Sequence, residues 1–147
     1  EFVKTEKVNF TKLIKESTNS FEEFIKLNGL DVDADLKENV SIIMHPVLAD
    51  ILWTNLFQNA IKHNTEGGRI QIELTSQKLI IANTGNEPNI EPDELFGRFK
   101  KAETDNNAGS IGLGLSIIKR IVDQNNYSIS YVFDDGWHTI TISFDSK

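Results

Sequence analysis

Between Asn55 and His63 the chain places two carboxamides, an ammonium and an imidazole at helical spacing, as Asn55, Asn59, Lys62 and His63. Residues three and four apart on a helix are neighbours, so an amide oxygen, a cation and an aromatic ring would gather at one helix end. That set suits a hydrated cation, a phosphate and a base. Mg2+ takes oxygen ligands and keeps several waters, so one Asn carbonyl with triphosphate oxygens makes a reasonable shell. Each residue also has a plainer reading: Asn amides bonded to backbone or water, a solvated Lys, a His resting on the last carbonyls of its helix. A buried amide without a partner costs about 1–3 kcal/mol, so protein groups or a ligand must satisfy both.

A second cluster is the run Gly109-Ser110-Ile111-Gly112-Leu113-Gly114-Leu115. It stands immediately before a predicted helix whose inward face is Leu113, Ile117, Ile118, Ile121 and Val122. Bare backbone N–H groups at a helix start bind anions, although a plain glycine-rich turn reads the same way in isolation. No Lys-Ser or Lys-Thr completes a Walker pattern and no further glycine completes a dinucleotide fingerprint. Arg98, Lys100 and Lys101 lie in an otherwise neutral or acidic stretch, either as a solvated basic cluster or within reach of a terminal phosphate. Asn83-Thr84-Gly85 closes a strand. Asn there is ordinarily a turn former, and its amide could equally read a purine edge.

Three long helices are expected to position these groups. The first runs from Asn9 to the stop at Asn28-Gly29, the second from Pro46 to about His63, and the third from Leu113 to Asn125. On the second, Leu48, Ile51 and Leu52 form a stripe that continues into Asn55, Asn59 and Lys62, while Trp53, Phe57, Ala60 and Ile61 cover the opposite side. A helix apolar on most sides is expected to be buried, with the two amides facing inward. Alternation marks about six strands: Leu30–Leu36, Val40–Met44, a hairpin at 70–74 and 78–82, and a second hairpin, 129–133 with 137–144, turning at Asp134-Asp135-Gly136. Hairpins dominate, so an α+β sandwich with helices on one face of the sheet fits, and a doubly wound parallel sheet does not. Residues 83–111 form a long polar segment interrupted by Leu95-Phe96-Gly97-Arg98-Phe99, read as a lid spanning about 86–111.

Composition narrows the classes. The chain has 147 residues, 39% of them apolar, and is read as one domain over 1–147. A net charge of −7 disfavours nucleic acid and anionic membrane. The absence of Cys excludes disulfides and thiolate metal sites. No run approaches the ~20 apolar residues of a membrane span.

Taken in order, these motifs resemble those of the catalytic ATP-binding domain of bacterial sensor histidine kinases, in the GHKL ATPase superfamily that includes gyrase and heat-shock chaperone nucleotide-binding domains. Asn55-Leu56-Phe57-Gln58-Asn59-Ala60-Ile61-Lys62-His63-Asn64 resembles the N box, and Asn83-Thr84-Gly85 the first glycine box. Leu95 to Phe99 resembles the F box, and Gly112-Leu113-Gly114-Leu115 the second glycine box.

The resemblance implies the Bergerat fold, a two-layer sandwich of a mixed, mainly antiparallel sheet and three long helices with a mobile ATP lid. It implies ATP and Mg2+ as cofactors, with Asn59 holding Mg2+, Asn55 one turn earlier in the pocket and Lys62 on phosphate. His63 would flank the adenine, Asn83 would stand where the family has an Asp for the adenine amino group, and Gly85 would line the base. Arg98 and Lys101 would approach the γ-phosphate, and Gly112, Leu113, Gly114 and Leu115 would cover the triphosphate. Departures are Asn83 for Asp, Glu87-Pro88 where a later glycine belongs, and Ser110-Ile111 for Gly-Thr.

None of His45, His63 or His138 resembles a phosphoacceptor. The resemblance therefore implies a histidine-bearing dimerisation domain of the same full-length protein and a response regulator as partners. It also implies a cytoplasmic domain of a membrane-anchored sensor, monomeric when isolated and without direct membrane contact. Two other readings stand beside this one. An anti-sigma-factor-like serine kinase normally has a carboxylate where Asn55 stands, as gyrase-like hydrolases do; a degenerate nucleotide-sensing or partner-binding module would account for Asn83 and the incomplete glycine boxes.

Overall fold

Alternation in Arg69-Ile70-Gln71-Ile72-Glu73-Leu74 buries every second side chain and leaves the rest exposed, the pattern of a sheet covered on one face only. The computed structural model describes residues 5–88 and 106–145, with residues 106–114 as backbone alone. Its elements in chain order are β1 (Glu6–Asn9), α1 (Phe10–Ser20), α2 (Glu22–Leu27), β2 (Asp31–Leu36), β3 (Ser41–Met44), α3 (Pro46–Lys62), β4 (Arg69–Leu74), β5 (Lys78–Thr84), α4 (Asn106–Gln124), β6 (Ser128–Asp134) and β7 (Trp137–Ser143).

Five strands form the main sheet in the order β2-β4-β5-β7-β6. Only β2 and β4 are parallel; the other neighbours are antiparallel. Residues paired across strands share a face, so the register builds three cross-sheet rows toward the helices. These are Leu74–Leu79–Ile142–Ile129, Ile72–Ile81–Ile140–Tyr131 and Ile70–Asn83–His138–Phe133. The first two rows are apolar but for the Tyr131 hydroxyl. In the third, Asn83 and His138 stand at the centre, so the core turns polar at one end. On the opposite face Gln71 and Glu73 are exposed. Edge strand β2 is exposed at Asp31, Asp33 and Asp35, which pair with Arg69, Gln71 and Glu73. The β6–β7 hairpin turns through Asp135 (φ 51°) and Gly136 (φ 82°), both in the left-handed region that two-residue hairpin turns require.

Helices α3 and α4 cover the inner face. Pro46 starts α3, and the His45 side chain caps it by accepting from Val47 N at 3.0 Å. The helix buries Ala49, Leu52, Trp53, Leu56, Phe57 and Ala60 in one core with Ile70, Ile72, Leu74, Leu79, Ile81 and the α4 residues Leu115, Ile118, Ile121 and Val122. The two-layer α+β architecture expected from the sequence is therefore present.

Four local expectations are corrected. The expected first helix breaks at Phe21 (φ −97°, ψ 9°) into α1 and α2. Thr18 and Ser20 donate side-chain bonds to Ile14 O and Ser17 O, which weakens that turn, and the Phe21 ring packs edge-on against Phe57 at 5.4 Å. Residues 6–8, unassigned in the sequence, and Asn9, expected to open the first helix, form β1 because β3 offers an antiparallel partner, Glu6↔Met44 to Asn9↔Ser41. Ile51 is 37% exposed, so the line from Ile51 through Asn55 and Asn59 runs along the border of the buried face. The large Trp53 and Phe57 rings take the centre instead. Finally, α4 begins at Asn106, so Gly109, Gly112 and Gly114 lie within a helix. The stretch Asn106–Gly112 holds no Pro and a single β-branched residue, and glycine's helix penalty of ~1 kcal/mol does not stop propagation from the packed half.

Phe57 is fully buried, stacked on Trp53 at 5.3 Å and 18° and edge-on to Phe21. Its replacement by Ala is expected to destabilise the chain by about 3–5 kcal/mol, read as a lower urea midpoint at unchanged slope.

Candidate functional site

The C-terminal end of α3 meets the polar row of the sheet. Asn64, just past the helix, ties the two together. Its Nδ2 donates to Arg69 O at 3.0 Å, and its Oδ1 accepts from Thr84 Oγ1 at 2.6 Å and Thr65 N at 2.8 Å. Thr84 Oγ1 in turn accepts from Arg69 N at 2.9 Å. Gly68 makes room: a Cβ there would fall 2.1 Å from Asn64 Oδ1 and 2.3 Å from Thr84 Oγ1. These bonds hold the end of α3 over the ends of β4 and β5.

On this frame stand the residues singled out from sequence. Asn55 is half-buried and donates Nδ2 back to Ile51 O at 2.8 Å, within its own helix. Asn59, one turn later, has a buried Nδ2 with no hydrogen-bond partner. His63 caps α3, its N–H donating to Asn59 O at 3.0 Å, and its Nε2 is also buried without a partner. A buried polar atom left unmatched is costly. Of three such side-chain nitrogens among the described residues, two stand here; the third is Trp53 Nε1 in the core. Lys62 is exposed and lines an open pocket of ≈ 250 Å³ with Asn28, Leu30, Ile61, Asn64, Thr65 and Glu66.

Asn83 is 8% exposed and donates Nδ2 to Thr84 O at 2.9 Å. That bond uses one of the two amide hydrogens and leaves the other, with the carbonyl oxygen, for further partners. Gly85 packs so closely that a Cβ would lie 2.7 Å from His63 O and 2.8 Å from the His138 ring. Leu115 is buried at 3% exposure in α4. Gly112, Leu113 and Gly114 belong to the helical backbone of α4, and their side-chain environment lies outside the described residues. Arg98, Lys101 and the expected lid between 89 and 105 also lie outside them.

Two residues at this end were not singled out from sequence as part of the site. His138 directly faces Asn83 across β5 and β7, and Tyr131 OH meets His138 Nδ1 at 2.5 Å. The period-two phase of Ile140 and Ile142 places His138 on the helix-facing side, and that was the available signal. Burial pushes the Tyr131 hydroxyl up to about 12. Burial, and next the charge of Lys62, hold His63 below its ordinary value; burial also lowers His138, against the opposing effect of its hydrogen bond to the Asn86 carbonyl.

The family model for histidine kinase-, DNA gyrase B- and HSP90-like ATPases matches residues 45–147. The chain belongs to this family. Within it, the chain is a catalytic ATP-binding domain of the sensor histidine kinase type. It is 26% identical over 126 residues to the signal transduction histidine-protein kinase BaeS of Escherichia coli, covering 81% of this chain and 27% of that protein. It is 32% identical over 126 residues to the sensor histidine kinase RppB of Synechocystis, covering 80% and 28%. The chain thus spans little more than a quarter of these curated relatives. The nucleotide-free catalytic domain of histidine kinase ThkA shares the fold at a TM-score of 0.81 with 23% identity, covering 97% of this chain and 96% of that one. ThkA has also been solved in complex with response regulator protein TrrA, matched at a TM-score of 0.76 over 99% of this chain and 42% of that one, with 24% identity.

Two predictions follow from this joint. Asn64→Ala removes the acceptor of Thr84 and the donor to Arg69, and is expected to cost about 1–3 kcal/mol by chemical denaturation. His63 and His138 both titrate below their ordinary value of 6.5 in the folded chain, so the unfolded chain binds protons that the fold resists. Stability is expected to be complete above pH 6.5 and to fall as pH drops through the folded values. Urea midpoints measured from pH 7.5 to 5 check this, and replacing both histidines by Gln is expected to flatten the slope.

Proposed function

We propose that the chain binds Mg·ATP at the joint between α3 and the polar row of the sheet, and donates the γ-phosphoryl group to a histidine on a separate dimerisation domain of the same full-length protein. The pathway is two-component signalling, with a response regulator as the next acceptor. The observation that carries the reading is the pair of unmatched buried nitrogens, Asn59 Nδ2 and His63 Nε2, one turn apart where the apolar core ends. They are a carboxamide and an imidazole awaiting a polar ligand.

In this reading Asn59 would hold Mg2+ through its amide oxygen, leaving Nδ2 to donate to a phosphate oxygen, and burial, which holds His63 below its ordinary value, favours a neutral ring beside an uncharged base. Asn83 presents its carbonyl oxygen to an exocyclic amino group, and Gly85 lets that base approach the backbone. Lys62, Arg98 and Lys101 are assigned to phosphate charge, and Gly112, Leu113, Gly114 and Leu115 to the cover over the triphosphate. When bound, Mg2+ supplies charge neutralisation to a transfer that needs in-line positioning more than covalent help. Asn55 carries no carboxylate to activate water, which disfavours hydrolysis and the serine-kinase reading. The acceptor domain, the regulator and a cytoplasmic setting enter by likeness to the relatives; no described helix is long and apolar enough to cross a membrane.

Calorimetric titration with ATP, with and without Mg2+, tests the proposal. The native chain is expected to show Mg-dependent binding that Asn59→Ala weakens at least tenfold, about the worth of one charge-assisted contact. Folded protein that binds no nucleotide would sink it.

A further inference from the structure

His138 contacts the chain on both sides of its ring. Nδ1 meets Tyr131 OH, and Nε2 lies 2.8 Å from the carbonyl oxygen of Asn86, the second residue after β5 ends. A carbonyl only accepts, so Nε2 must carry the proton, and Nδ1 is then an acceptor that the tyrosine hydroxyl satisfies as donor. One tautomer fits both partners, and the Asn86 carbonyl, which can only accept, selects it, while the Tyr131 hydroxyl adapts as donor to the remaining ring nitrogen. The ring also packs on Phe133 at a centroid distance of 4.7 Å. Between Asn86 and β5 lies Gly85, pressed between the His63 carbonyl and the His138 ring with no space for a Cβ. The imidazole therefore clamps the exit of β5 against the end of α3. That clamp sets the separation between Asn59 and His63 on one side and Asn83 and Gly85 on the other.

We infer that His138, held in its Nε2–H tautomer by the Asn86 carbonyl and supported at Nδ1 by Tyr131, is a positioning residue for the nucleotide site, fixing the backbone at 85 and 86 against α3. The inference rests on the nucleotide reading above and adds to it a residue from the C-terminal hairpin that touches neither phosphate nor metal. Asn86 O has a donor only while the imidazole keeps that tautomer. Loss of the ring leaves the segment held by Gly85 N–H donating to Gly136 O at 3.0 Å but removes the contact at Asn86, without changing the side chain of any residue assigned to the ligand.

The experiment compares ATP affinity, by calorimetry with Mg2+, for the native chain, His138→Leu and His138→Gln, each first shown to be folded by circular dichroism and a cooperative melt. Leu removes both hydrogen bonds, and affinity is expected to fall roughly fivefold to tenfold, the worth of about one hydrogen bond. Gln restores a donor toward Asn86 and is expected to recover most of the loss. In parallel, 15N imidazole shifts are expected to show His138 as a single Nε2–H tautomer in the native chain. Native binding that a folded His138→Leu leaves within about twofold, well short of one hydrogen bond, would overturn the positioning role alone, as would an Nδ1–H tautomer in the native chain. No binding by the native chain would overturn the nucleotide reading and this role with it. If Leu itself fails to fold, the Gln variant and the tautomer measurement decide.

Discussion

The joint at Asn64 is the constraint on which the site depends. One carboxamide reaches β4 through Arg69 O and β5 through Thr84 Oγ1, and its orientation is fixed because each end has a partner of the right sign. Without it, α3 would still be buried by Trp53 and Phe57, since apolar packing has no direction. Its end would no longer be referenced to the sheet. Hydrophobic burial thus sets where the helix lies, and directional bonds at its last turn set where Asn59 and His63 stand relative to Asn83. Gly68 belongs to the same device, because any side chain there would occupy the space of the bond it protects.

Much of the fold was legible because its strands alternate strictly. Ile70, Ile72 and Leu74 announced their face, and Asp135-Gly136 its turn. Two of the errors share one origin, in that partners distant in sequence decided them. β1 exists because β3 pairs with it, and Phe21 interrupts a helical pattern because Phe57 offers it a better contact. The inward line of α3 was misplaced by one residue position, since Ile51 and Leu52 look alike in sequence and only the bulk of Trp53 decides between them. At the candidate site, motif spacing singled out Asn59, His63, Asn83 and Gly85, which the fold brings to one end of the sheet. It did not find Tyr131 or the role of His138, whose significance comes from cross-strand register rather than from neighbours in sequence.

Polarity in the core is graded along the sheet. Two of the inward rows are apolar except for the Tyr131 hydroxyl, and the third carries Asn83 and His138 at its centre. That gradient places two of the three unmatched nitrogens among the described residues at one end, where α3 also ends and the chain leaves β5. The bulk of the apolar packing and the candidate site are thereby separated in space. The rows of Leu74 and Ile72 can hold the sandwich together while the row of Ile70 tolerates groups that a closed core would not.

The aspartates of β2 bear on how the molecule behaves in a crowd. A strand at a sheet edge has unpaired backbone groups that can recruit another strand. A second copy of this strand laid alongside would bring Asp31, Asp33 and Asp35 against their own counterparts, placing like charges at neighbouring positions. Copies of this edge repel one another at neutral pH, so the exposed strand discourages growth of the sheet from molecule to molecule. Salt screens exposed charges, so high ionic strength is the condition under which this edge most readily seeds association.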